Sequence, residues 1–324
     1  MPPLRALMTR RPMAVFVSTL MLAVPGRLDA QAAPASAAAT GRADLATAYW
    51  RMDHLYAAAD STGRLIDSLR AQVNRTFDRA TFSFFGGRFG PALASIDSAL
   101  LQLSNGTGIA LPSATARSTT SRFRGDERKT LTLAGGTPVP LRLLYDPSWR
   151  RGRAPVGLLL ALHGAGGEPD MFIDAYGQGV IADLALANRL VLVSPATGPF
   201  VTSAEPFDSV VAMVRRLVPL DSSRVYVLGH SMGAGAAAQL AQQRPQQIAA
   251  VACLAGGRPV TVVGAPRLLF LGAALDPIIP AKNVRAAAEG SPTGRYEELP
   301  HEGHTLMVRR GVLRAVPWLV GARP

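Results

Sequence analysis

Leu228-Gly229-His230-Ser231-Met232-Gly233-Ala234-Gly235 is the stretch from which the rest of the chain is read. Before it, Val225-Tyr226-Val227-Leu228 is a continuous apolar run of the kind a buried strand carries. After it, Ala236-Ala237-Ala238-Gln239-Leu240-Ala241 reads as the start of a helix. Gly229-His230-Ser231-Met232-Gly233 is therefore a G-x-S-x-G pattern on a strand-to-helix turn. Glycines two before and two after the serine let strand and helix pass close together. The serine backbone can then be held strained, with Oγ pointing out at the end of the sheet. Ser231 is a candidate nucleophile; the competing reading is a glycine turn with no chemistry.

Outward from this turn, apolar runs alternate with helical patterns, the mark of an α/β chain with a mostly parallel sheet. Strands are expected over residues 156–162, 190–193, 225–228, 249–254, 267–271 and 296–299, and their unbroken apolarity suits burial on both faces. Helices are expected over 171–187, 207–218, 233–243, 281–289 and 304–320, with Pro317 ending or kinking the last. Upstream, residues 128–133 and 139–145 read as a hairpin across Gly135-Gly136. Active sites of such sheets collect beyond the carboxyl ends of the strands.

Those strand ends carry distinctive groups: His163-Gly164-Ala165-Gly166-Gly167, then Ser231, then Asp276-Pro277, and last His301-Glu302-Gly303-His304. A hydroxyl attacks poorly near neutral pH unless a base takes its proton, and histidine suits that task when a carboxylate orients it. Asp276 is the candidate acid, though Asp before Pro also suits an Asx-turn. Asp174, Asp183, Asp208 and Asp221 precede or separate the strands in the wrong order, and Asp208 reads as a helix start. For the base the candidates are His304 and, three residues earlier, His301. An oxyanion needs two N–H donors, and Met232 supplies one because it follows the serine and opens a helix. The glycine turn after His163 supplies the other, from Gly164, Ala165 or Gly166.

These stretches, with Asp221-Ser222-Ser223-Arg224 leading into the serine strand, resemble an α/β-hydrolase across about residues 126–322. The likeness is to secreted esterases of the polyhydroxybutyrate-depolymerase and feruloyl-esterase type. It implies an α/β-hydrolase fold and cleavage of a carboxylic ester through an acyl-enzyme. It also implies Ser231 as nucleophile, Asp276 as acid, His304 as base, and Ala165 beside Met232 in the oxyanion hole. His163 and His230 match positions that support geometry rather than transfer protons. The substrate implied is a small-molecule or polymeric ester.

The N-terminal residues read differently. Arg5, Arg10 and Arg11 precede an apolar run over 13–24 that is short for a membrane span, and Ala30-Gln31-Ala32 offers a cleavage site. Residues 1–32 are expected to be a signal peptide, which puts the mature chain in the periplasm or outside the cell with no lasting membrane span. Removing those residues, with four arginines and one aspartate, lowers the net charge from +12 to +9. Apart from Lys129 and Lys282 the basic residues are arginines scattered along the chain, which argues against a nucleic-acid stripe. Cys253, the single cysteine, cannot form an internal disulfide and sits in an apolar run. Five dispersed histidines offer no metal-ligand spacing, and no cofactor fingerprint is present.

Residues 33–103 read as a helical accessory segment of open purpose, 104–125 as a Ser/Thr/Gly/Arg-rich linker, and 126–324 as the hydrolase domain. Two other functions fit the sequence. One is a prolyl-oligopeptidase-like peptidase or amidase. The other is an envelope binding protein on a non-catalytic hydrolase scaffold, its helices holding a partner.

Overall fold

The computed structural model describes residues 40–113, 123–152 and 154–321. The expected signal peptide over 1–32 lies outside the described residues. β3 (Val156–Leu162), β4 (Leu190–Pro195) and β6 (Ala250–Leu254) are buried at every position, so both faces of the sheet must be covered. With β1 (Gly125–Thr132), β2 (Pro138–Tyr145), β5 (Leu220–His230), β7 (Arg267–Ala273) and β8 (Gly294–Leu299) they form one sheet in the order β1-β2-β4-β3-β5-β6-β7-β8. β1 and β2 pair antiparallel, as does β2 with β4; the pairs from β4 through to β8 are parallel. β5 lies between β3 and β6, so Ser231 leaves the sheet near its middle.

Among the described residues three helices precede the sheet: α1 (Arg42–Ser61), α2 (Asp67–Phe85) and α3 (Phe89–Thr107). Met52, Leu55, Tyr56, Val73, Leu100 and Leu103 have almost no exposure, so the helices bury a shared apolar interior. The described residues form a single compact unit that includes both these helices and the sheet. No helix among the described residues is long and apolar enough to cross a membrane. Cys253 lies fully buried in β6, where burial pushes its thiol up to about 12.

Several expected boundaries move. The 104–125 linker begins too early, because α3 runs on to Thr107, one turn past Leu103, and ends at Gly108 with φ 66°. β5 starts at Leu220, but its ladder to β3 jumps from Leu220 to Val225, so Asp221–Arg224 bulge out of an otherwise regular strand. The helix expected over 171–187 is broken. A π turn (Met171–Ala175) and a 3₁₀ turn (Tyr176–Gly179) precede α4 (Val180–Ala187). The break has a tertiary cause. The Asp53 carboxylate on α1 accepts the N–H groups of Gly177 and Gln178 at 3.1 and 2.8 Å and draws them out of the helical ladder. A short α5 (Gly198–Thr202) precedes α6 (Glu205–Leu217), where the sequence pattern predicts one helix over 207–218. α7 (Met232–Gln243) and α8 (Ala281–Glu289) fall close to expectation. The last helix, α9, spans Val308–Leu319, so Pro317 lies inside it rather than ending it, and residues 304–307 stay outside it.

Candidate active site

Ser231 sits between β5 and α7 with φ 55° and ψ −116°, a conformation that costs an L-residue energy. Close packing explains both flanking glycines. A Cβ on Gly229 would fall on the Gly233 carbonyl, and one on Gly233 would fall on the Leu162 carbonyl. The Ser231 N–H donates to the Leu254 carbonyl at 2.9 Å, and its own carbonyl accepts from Ala234 and Gly235. The turn is thereby pinned on both sides. Gly233→Ala is expected to cost about 1–3 kcal/mol or more, because the atoms in the way are backbone. A urea unfolding midpoint equal to wild type contradicts this.

His304 lies in the loop between β8 and α9, 1% exposed. Its Nε2 is 3.0 Å from Ser231 Oγ and its Nδ1 is 2.7 Å from Asp276 Oδ2. The carboxylate accepts, so Nδ1 carries the proton and Nε2 is left as the acceptor facing the serine hydroxyl. Asp276 Oδ1 accepts from the Ile278 and Ile279 N–H groups at 2.8 and 2.9 Å. One oxygen makes the Asx-type turn and the other holds the histidine, so the two readings of Asp276 coexist.

The remaining sequence candidates lie elsewhere. His301 has φ 64° and turns away toward Asp67, 3.7 Å from its carboxylate. Asp208 pairs with Arg244, Asp174 with Arg142, and Asp221 caps the Ser223 turn. Asp183 belongs to α4.

His230 and His163 are both buried, and their partners fix their tautomers. His230 Nε2 lies 2.9 Å from the His304 carbonyl, which can only accept, so Nε2 is protonated and Nδ1 accepts from the Tyr176 hydroxyl at 3.0 Å. Burial and the neighbouring His304 push His230 down to about 3, so it stays neutral and braces the His304 backbone. His163 Nδ1 donates to the Gly164 carbonyl at 2.8 Å, and its Nε2 accepts from the Thr197 N–H at 3.3 Å. Burial holds His163 below its ordinary value. Neither faces the serine hydroxyl.

Met232 is the first residue of α7, where N–H groups have no intrahelical acceptor. Across from it, a Cβ on Gly164 would lie 3.3 Å from Ser231 Cβ, and Ala165 lines the same cavity as Ser231. Met232 and Ala165 thus border the serine from two sides.

That cavity holds about 840 Å³. Its floor is Ser231 and His304; one wall is the Gly164–Gly167 turn and Met171. The other is built by the N-terminal helices, with Tyr49, Trp50, Phe77, Phe84, Phe85 and Ile96 among its lining residues. The accessory segment is therefore part of the site. Sequence reasoning also missed its polar contribution. Arg70, Asn74 and Asp78 are all buried and recur at four-residue steps along α2. A polar stripe at helical spacing beside Val73, Phe77 and Ala80 was a signal that this face meets something polar.

A single strained serine turn at the centre of this sheet, with Asp and His on later strand ends, defines the α/β-hydrolase fold, and the chain has it. A family model described as alpha/beta hydrolase fold matches residues 157–265. Among solved structures, a 2,6-dihydroxy-pseudo-oxynicotine hydrolase aligns at TM-score 0.50 and 15% identity over 84% of this chain and 95% of that one. That coverage is more than residues 123–324 alone could supply, so the alignment reaches into the N-terminal part of the chain. A thermostable esterase aligns at TM-score 0.47 and 19% identity over 60% of this chain and 62% of that one. The feruloyl esterase module from Clostridium thermocellum aligns at TM-score 0.49 and 14% identity, covering 61% and 88%. No curated protein matches by sequence.

Proposed function

We propose that this chain is a serine hydrolase of small carboxylic esters, acting outside the cytoplasm through an acyl-enzyme. The observation that carries this reading is the unbroken line Ser231 Oγ, His304 Nε2, His304 Nδ1, Asp276 Oδ2, at 3.0 and 2.7 Å, on a strained turn. Ser231 Oγ attacks the ester carbonyl carbon as His304 Nε2 takes its proton. The carbonyl electrons move to oxygen, where the N–H groups of Met232 and Ala165 receive the charge. Collapse expels the alcohol, which takes the proton from His304; water then attacks the acyl-serine with His304 as base. Asp276 keeps the proton on Nδ1 and stabilises the imidazolium.

The cavity supports a small substrate rather than a polymer. About 840 Å³ lies inside the range of roughly 300–1,000 Å³ for small-molecule sites. Its apolar wall suits a bulky hydrocarbon or aromatic group on the acyl or alcohol side. The basic, apolar and A-x-A pattern within residues 1–32 supports export. Mass spectrometry of exported chain beginning at Ala33 is the matching observation.

The test is a panel of p-nitrophenyl and aryl esters set beside dipeptidyl anilides and a polyester film. Turnover of the small esters, with little on amides or film, is the expected result. A fluorophosphonate-reactive protein that cleaves only the anilides sinks the ester assignment in favour of a peptidase. A folded protein that neither labels nor cleaves favours a binding scaffold.

A further inference from the structure

The loop that carries His304 is held from outside the hydrolase sheet. Asn74 Oδ1 on α2 accepts the Gly303 N–H at 2.7 Å. One turn further along α2, both Asp78 oxygens lie 3.2 Å from the His304 N–H. Gly303 has to be glycine for this, since a Cβ there would fall on the Asp78 carboxylate. Behind it, Glu302 is fully buried and accepts from Arg70 at 2.9 Å and from Tyr56 at 2.8 Å.

We propose that Asp78, on the N-terminal helix α2, is a positioning residue for His304, fixing its backbone and stabilising the imidazolium formed when Ser231 is deprotonated. The proposal rests on Ser231 and His304 acting as nucleophile and base, but not on the substrate being an ester. Three facts carry it. The carboxylate accepts the backbone N–H of His304 itself, and Asn74 one turn earlier accepts that of Gly303, so moving α2 moves the base. The group is 2% exposed, where a charge acts over a short distance without solvent screening. The geometry of attack is sensitive: a shift of about 1 Å in a reacting group can cost about 100-fold.

The groups facing Asp78 decide its titration. Asp276 and Glu302 lie on the loops packed against it, His304 and Thr305 on the same loop as Glu302, and Arg70 and Asn74 on its own helix. Arg310 of α9 reaches Glu302 at 3.6 Å, and Tyr56 of α1 completes the cluster. Burial raises Asp78 to about 8, against the backbone N–H of His304, and the charge of Asp276 adds to the rise. As pH increases through about 8 the group gains its negative charge, and activity gains with it.

The experiment uses the full chain and its Asp78→Asn variant, which keeps size and one acceptor but not the charge. Two quantities are read from about pH 6 to about pH 10: the rate of fluorophosphonate labelling of Ser231, and kcat and KM on p-nitrophenyl butyrate, each per labelled site. Wild type is expected to show a rise in labelling rate centred near pH 8. In Asp78→Asn that rise disappears, and labelling rate and kcat both fall by about 10- to 100-fold with KM within about twofold. Thr76→Val, which loosens α2 from Gln102 of α3 without touching the His304 loop, is expected to lower Tm but keep the wild-type labelling rate. Equal labelling rates for wild type and Asp78→Asn overturn the proposal. So does a wild-type profile flat through pH 8, which needs no variant to fold. Wild type that labels but cleaves no ester, with Asp78→Asn labelling slowly, removes the ester reading and leaves this one standing. Wild type that does not label removes both.

Discussion

Ser231→Ala is expected to lower kcat/KM on a short-chain ester by about a millionfold while leaving the protein folded. The side chain is half-buried and its Oγ meets His304 Nε2 at 3.0 Å, so deleting it removes the attacking atom and little packing. Residual rate of about 1,000-fold over water comes from the oxyanion donors and binding, which the substitution leaves in place. His304→Ala is expected to be nearly as severe, and the double variant no worse than either, because the two groups act in one step. Ser231→Gly separates chemistry from strain. At φ 55° a serine is held where glycine rests freely, so the glycine variant is expected to be equally inactive yet more stable by about 1 kcal/mol. Ester turnover by Ser231→Ala above a few per cent of wild type removes Ser231 from the nucleophile's role. A Ser231→Gly variant less stable than wild type removes the strain argument.

The sheet and the candidate triad were legible because their determinants are local. Five residues around Ser231 state the turn, apolar runs state the buried strands, and Asp276 and His304 each lie in the loop that follows a strand. The carboxylate beside Pro277 admitted two readings because the sequence cannot say what each oxygen does; in the structure Oδ1 closes the turn and Oδ2 meets His304. What escaped the sequence is long-range. Residues 171–187 have helical spacing, but Asp53, more than a hundred positions away, takes the Gly177 and Gln178 N–H groups and breaks the helix there. Residues 304–307 read as the first turn of the last helix, yet the His304 N–H turns to Asp78 on α2. At Gly177 and Gln178 a side chain from the first hundred residues outweighs a local backbone pattern, as tertiary context commonly does. The purpose of the helical segment was open for the same reason. Its aromatic wall and its Arg70-Asn74-Asp78 stripe acquire meaning only against a loop more than two hundred residues later.

Arg70→Met is expected to destabilise the protein by about 3–5 kcal/mol near neutral pH. Arg70 is 4% exposed and joins Glu302 at 2.9 Å, Asp60 at 2.5 Å and the Tyr56 hydroxyl at 3.3 Å, with its guanidinium 5.6 Å from the Tyr56 ring. Methionine fills most of that volume, so the loss is electrostatic. Glu302 would stay buried with Tyr56, a long contact to Asn74 at 3.4 Å, and Arg310 at 3.6 Å, too little to offset the desolvation of a carboxylate. Two further results separate this account from simple loss of packing. First, a carboxyl buried without its cation binds a proton more readily than in the unfolded chain, so the folded variant gains on acidification. The gap between variant and wild type should narrow as pH falls from neutral toward the ordinary carboxylate range. Second, adding Glu302→Gln to Arg70→Met removes the stranded charge and should recover at least half of the loss, since a buried pair replaced at both ends costs far less than one broken at one end. Urea unfolding of the four proteins of this cycle at two pH values measures all of it. A loss under about 1 kcal/mol for Arg70→Met, or a double variant no better than the single, means that water reaches Glu302 and that α2 does not seal the loop beneath it.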